Sequence, residues 1–134
     1  MWRIEFSADK FLPILPEQCQ TNPGAYGFEL ALWLAQRLLA RGIVTSYPQG
    51  EDWGWFIEHT DADETEIQIG CASVASEGDG YANRAIEWSI FVKPYTSLRE
   101  RLKGVTHAAK VEHVGRAILE SLAAEGIPAR HAPD

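Results

Sequence analysis

The string Glu51-Asp52-Trp53-Gly54-Trp55 is where this sequence concentrates residues able to do chemistry. Indole faces stack on sugars and cations, and adjacent carboxylates fix the polar groups of such ligands. The same string also reads as a strand with its turn, Trp53 and Trp55 alternating onto one inward face while Glu51 and Asp52 close the turn. The strand period accounts for both Trp residues without a ligand. Other chemistry fails on spacing. Asp61, Asp63 and Glu64 bring oxygen ligands together, but the segment lacks the glycine and distal Glu of a calcium loop, and a solvated hairpin tip is expected. His59, His107, His113 and His131 show no His-Glu-x-x-His spacing. His107 falls on the apolar stripe of a helix, as a satisfied, partly buried histidine would. Cys19 and Cys71 lie far apart, with neither a nucleophile motif nor metal-ligand spacing. No Gly-x-Ser-x-Gly string or phosphate-binding loop occurs. No catalytic residue, metal ligand or cofactor is assigned.

The elements that must position these residues follow from periodicity. Trp2, Ile4 and Phe6 alternate with Arg3 and Glu5 as in a half-buried strand. Pro13 and Pro16 mark a connector, and Asn22-Pro23 predicts a helix start there or within the next turn. That helix runs to Arg41 and stops at Gly42, with Phe28, Leu30, Ala31, Leu34, Ala35, Leu38 and Leu39 on its apolar arc. Trp33 falls in the polar stripe, either as an exposed anchor or packed under the connector. Strands are expected at 43–47, from Trp53 to Glu58, at 66–71 and from Ile86 to Val92, with a turn at Tyr47-Pro48-Gln49-Gly50. Ser97-Leu98-Arg99-Glu100 has capping-box spacing for a short helix that Gly104 breaks. A last helix, from about Thr106 to Glu125, ends at Gly126-Ile127-Pro128.

This order predicts one α+β domain: a two-layer sandwich with an antiparallel sheet of four to five strands and two long helices on one face. Trp2, Ile4, Phe6, Trp53, Trp55, Ile57, Ile67, Ile69, Ile86, Trp88 and Ile90 are expected toward the helices. Glu5, Asp52, Glu58, Glu66 and Glu87 are expected on the wet face. Two registers are open to the 53–58 and 66–71 strands. One sets Gly54 opposite Gly70 and leaves a notch beside Phe56, but also sets Glu58 against Glu66. The other, which we prefer, puts Phe56 over Gly70 and Glu58 against Gln68, leaving no ligand groove.

A helix ending in Arg-Gly-Ile, a turn, and then Glu-Asp-Trp-Gly-Trp resembles a set of small uncharacterised bacterial α+β domains. The resemblance spans Gly27 to Glu58, about a third of the chain. It implies a shared fold and no known activity, so no site residue carries over.

Charge narrows the function classes. The formal balance is −7, and residues 51–92 hold ten acidic side chains against one basic, Arg84. No basic stripe is available to neutralise phosphates, which disfavours nucleic acid as a partner. The longest apolar stretch, 30–40, is too short to span a bilayer and is interrupted by Gln36 and Arg37. No targeting segment is read at Met1–Phe6, and two dispersed cysteines suit a cytoplasmic protein with reduced thiols. The function expected is a non-enzymatic binding module whose acidic surface meets a basic protein partner, as in small acidic proteins that neutralise a basic toxin. Its candidate binding residues are Asp52, Glu58, Glu66, Glu87 and Trp33. The alternative is a small-molecule-binding domain or enzyme with a Trp-lined pocket between helix and sheet, anchored by Asp52 or Glu58. Acidity that only keeps the domain soluble would need neither.

Overall fold

The computed structural model describes residues 1–132. Its strands are β1 (Trp2–Ala8), β2 (Gln49–Glu51), β3 (Gly54–Thr60), β4 (Glu66–Val74), β5 (Ile86–Pro94) and β6 (Ala129–Ala132). The α-helices are α1 (Phe28–Leu39), α2 (Leu98–Leu102) and α3 (Ala108–Ala124). The strands form one antiparallel sheet in the order β2-β3-β4-β5-β1-β6. The α+β class is as expected, as is the short helix α2 ahead of the last one, but the sheet has six strands rather than four or five.

Both differences in the sheet lie at its edges. Residues 43–47 form no strand: Ile43 is tied to the end of α1 by its N–H on the Leu38 carbonyl, at 2.9 Å, and only Thr45 bridges to His59. The edge strand is instead β2, built from what reads as a turn: the Ser46 N–H still donates to the Glu58 carbonyl at 2.8 Å, Pro48 has no N–H to continue that ladder, and regular pairing resumes at Gln49. At the other edge β6 follows Pro128 and pairs with β1 through Ala129–Ala132. Four residues with two polar ones among them are too few to register as a period.

Helix α1 starts at Phe28, not at Asn22-Pro23. Gly27 stands at φ 145°, and a Cβ there would lie 2.7 Å from the Cys71 carbonyl oxygen, so the chain must turn at this point before it can coil. Asn22 instead opens a turn, accepting the Ala25 N–H at 3.0 Å. The glycine stops are where the sequence places them. Ile127 N–H donates to the Leu122 carbonyl past Gly126, as Ile43 does to Leu38 past Gly42.

Both long helices seat on one face of the sheet. Leu30, Leu34 and Leu38 of α1, with Val111, Val114, Ile118 and Leu122 of α3, pack on Ile4, Ile57, Ile69, Trp88 and Ile90. Burial of each such side chain contributes about 1.5–3 kcal/mol. Trp88 is fully buried, whereas Trp55 is only half-buried because its outer neighbour is the three-residue strand β2. Trp53 departs from the predicted pattern altogether. Gly54, at φ 154°, breaks the alternation there, and Trp53 lies in the β2–β3 turn with its ring on the opposite face.

Candidate functional site

The face of the sheet turned away from α1 and α3 carries the residues most able to bind. Alternation along β3 to β5 points Phe56 and Glu58, then Glu66, Gln68 and Gly70, then Glu87, Ser89, Phe91 and Lys93 to this side. The register is the preferred one: Phe56 opposes Gly70 and Glu58 opposes Gln68. Gly70 also opposes Phe91, and a Cβ on Gly70 would lie 2.1 Å from that ring. The missing side chain therefore lets Phe91 lie down across the sheet. Trp53 closes over the same place, with ring centroids 4.9 Å from Phe91 and 6.4 Å from Phe56. Phe56 is thereby buried on a face that no helix covers, while Trp53 stays 38% exposed. The Lys93 ammonium lies 5.5 Å from the Phe91 ring centre, within cation–π range.

Carboxylates surround this aromatic patch unevenly. On the β2–β4 half, Glu51, Glu58 and Glu66 face outward with no Lys or Arg among the outward residues of those strands. On the β5–β1–β6 half, Glu87 and Glu5 share the surface with Arg3, Lys93 and Arg130. Arg130 pairs with Glu5 across the β1–β6 ladder. A hollow of about 660 Å³ opens on this second half, rimmed by Arg3, Val74, Glu87, Phe91 and Arg130 over the short side chains of Ser7 and Ser89. This hollow lies away from Phe56 and Gly70, where the preferred register leaves no notch, and its charge is mixed.

The remaining candidates divide. Asp52 lies in the β2–β3 turn, where its carbonyl accepts the Asn22 side-chain N–H at 2.8 Å. Its carboxylate is beside Trp53 in sequence but on no strand. Trp33 is half-buried, its ring 5.0 Å from Phe11 of the connector and 6.0 Å from the Arg37 guanidinium. It belongs to the packing under the connector, so the structure does not bring it to Glu58, Glu66 and Glu87. The Trp residues do not converge as pocket walls either: Trp88 is in the core, Trp55 flanks α1 through Phe28, and Trp53 is on the far side.

Other titratable groups have structural partners. Asp61 accepts the N–H groups of Asp63 and Thr65, both at 2.9 Å, and pairs with Lys110 of α3 at 3.0 Å. The Thr65 N–H and then Lys110 hold its carboxyl below the usual range, so the hairpin tip is fastened rather than merely solvated. His107, at the start of α3, places Nε2 2.9 Å from Glu100 and is largely buried, as expected. Burial alone pushes the Cys71 thiol far up, which removes it as a nucleophile near neutrality. Among the described residues no group of His, Cys, Asp and Glu could hold a metal ion, and no helix is long and apolar enough to cross a membrane.

Phe56, Phe91, Arg3 and Arg130 were missed as site residues. The first two had a signal: each is aromatic at a position where strand alternation calls for an outward side chain. The arginines had none, because only the strand order brings β1 and β6 beside β5. No family model, curated protein or solved structure matches this chain.

Proposed function

We propose that this chain is a non-enzymatic interaction module that receives, and so neutralises, a basic protein on the acidic half of its open sheet face. The observation that carries the proposal is the half-exposed Trp53, propped on Phe56 and Phe91, beside outward Glu51, Glu58 and Glu66 on a surface no helix covers. A rigid aromatic ringed by charge has the make-up of an interface centre, since the ring supplies buried area and the carboxylates steer encounter. Affinity capture from the source cell's lysate, with three baits, tests this. Wild type should retain a basic protein that both Glu58→Lys/Glu66→Lys and Trp53→Ala lose, and recovery should fall as salt rises. Equal recovery by all three baits would overturn it.

A second reading has its own support in the hollow lined by Arg3, Glu5, Glu87 and Arg130. Paired guanidinium and carboxylate groups over a concave floor suit a small zwitterionic ligand. A ligand there would raise the melting temperature in a way that Arg130→Ala abolishes and Glu58→Lys/Glu66→Lys leaves intact.

A further inference from the structure

The link between β5 and α3 carries a short helix that is finished at both ends by local bonds. At its start Ser97 Oγ accepts the Glu100 N–H at 3.2 Å, and Glu100 Oε1 accepts the Ser97 N–H at 3.1 Å. The second Glu100 oxygen lies 2.9 Å from His107 Nε2. At its end the Val105 N–H donates to the Glu100 carbonyl at 2.9 Å. These local bonds fix α2, yet none of its residues is buried. Leu98 and Leu102, one turn apart on the same side, are 71% and 81% exposed, and Tyr95 and Val105 extend the apolar stripe. A helix this short gains nothing from water on its own. Holding it pre-formed with two leucines outward lowers the ordering cost of docking it against something.

The charges of this arm indicate what that something is. Lys93, Arg99, Arg101 and Lys103 lie within 93–105, where the one carboxylate, Glu100, is spent on the cap and on His107. An acidic surface is therefore the fitting counterpart, and this chain has one. At the β3–β4 tip Lys110 of α3 pairs with Asp61 at 3.0 Å and with Asp63 at 3.1 Å, while Glu64 and Glu66 stay exposed with no cation beside them in sequence. The arm and the β3–β4 hairpin leave the same end of the sheet, since the Tyr95 N–H donates to the Glu66 carbonyl at 2.8 Å. Two copies facing each other at that end, related by a two-fold axis, would set each arm on the other's hairpin in two identical contacts. The overall balance of −7 opposes any association that does not oppose basic arm to acidic hairpin in this way.

We propose that the chain self-associates as a two-fold dimer in which the α2 arm, through Leu98, Leu102, Arg99 and Arg101, lies on the exposed Glu64 and Glu66 of the second copy. Trp53 stands at the other end of β3, and Glu66 is the one residue that this contact shares with the partner surface proposed above. Sedimentation velocity over a concentration series tests it. Wild type should dimerise reversibly and less tightly as salt rises. Leu98→Asp/Leu102→Asp and Arg99→Glu/Arg101→Glu should each raise the dissociation constant about tenfold or more, with melting temperatures near wild type because the altered side chains are exposed. Mixing Arg99→Glu/Arg101→Glu with Glu64→Lys/Glu66→Lys should restore a heterodimer that neither variant forms with itself. Three results would overturn the proposal: a monomer at every concentration, a dimer indifferent to the arm variants, or a monomer whose arm instead binds vesicles containing anionic lipid. The arm variants leave Trp53 and Glu58 untouched, so their effect on capture of a basic protein separates failure here from failure of that proposal.

Discussion

Trp88 and Trp53 are the same side chain put to different uses by what lies across from each. Trp88 is fully buried in the core, whereas Trp53 lies on two phenyl rings with one side in water. Replacing Trp88 with Ala should therefore cost about 3–5 kcal/mol, from lost burial and the cavity left behind, read as a fall in the chemical-denaturation midpoint. Trp55→Ala should cost less, because part of that ring is already solvated. An unchanged midpoint for Trp88→Ala would mean that the inward face had been assigned backwards. Period-two counting was enough to place Trp88, but it carried Trp53 inward with Trp55. It could not register that Gly54 takes a φ open to few side chains and so resets the alternation between them. Among the acidic candidates it placed Glu58, Glu66 and Glu87 on the outer face, because each lies inside a regular strand. Asp52 lies outside one, so counting had no hold on it.

Hairpins, caps and links show where local pattern stops being informative. The capping box of α2 and the glycine stops of α1 and α3 were legible because every group involved lies within a few residues. The β3–β4 hairpin tip looked like free acid because the cation that fastens it, Lys110, sits on a helix much further along the chain. This fastening sets a pH dependence. The folded Asp61 carboxyl is held below its ordinary value by the Thr65 N–H and by Lys110. It thus contributes stability that is present above the unfolded value, about 3.9, and is lost as pH falls through the lower folded value. Asp61→Asn should lower the denaturation midpoint at pH 7, and the gap from wild type should close in acid as the native carboxyl protonates. A gap that is constant with pH would show that the Asp61 charge is not what holds the tip. Lys110, raised by the same pairing, works in the opposite sense, its contribution fading only at high pH.

At the scale of the whole molecule the acidity of residues 51–92 was readable by counting, but its distribution was not. Arg3, Lys93 and Arg130 come from three distant stretches and meet on one half of the open face only because the strand order is β2-β3-β4-β5-β1-β6. That order leaves the β2–β4 half acidic and gives the face two characters where the linear charge map shows one. It also has a consequence for how the protein is made. β1 is translated before every other strand, yet its neighbours on either side are β5 and β6. Trp2, Ile4 and Phe6 leave the ribosome with nothing to pair against until Ile86–Pro94 has followed, while β3 and β4 can zip together as soon as their short hairpin is complete. Long-range pairing of this kind is slow, and it leaves apolar strand surface open to chaperones and to wrong partners meanwhile. The sheet's first strand thus waits for its partners, and its last pairing, with Ala129–Ala132, completes the order β2-β3-β4-β5-β1-β6.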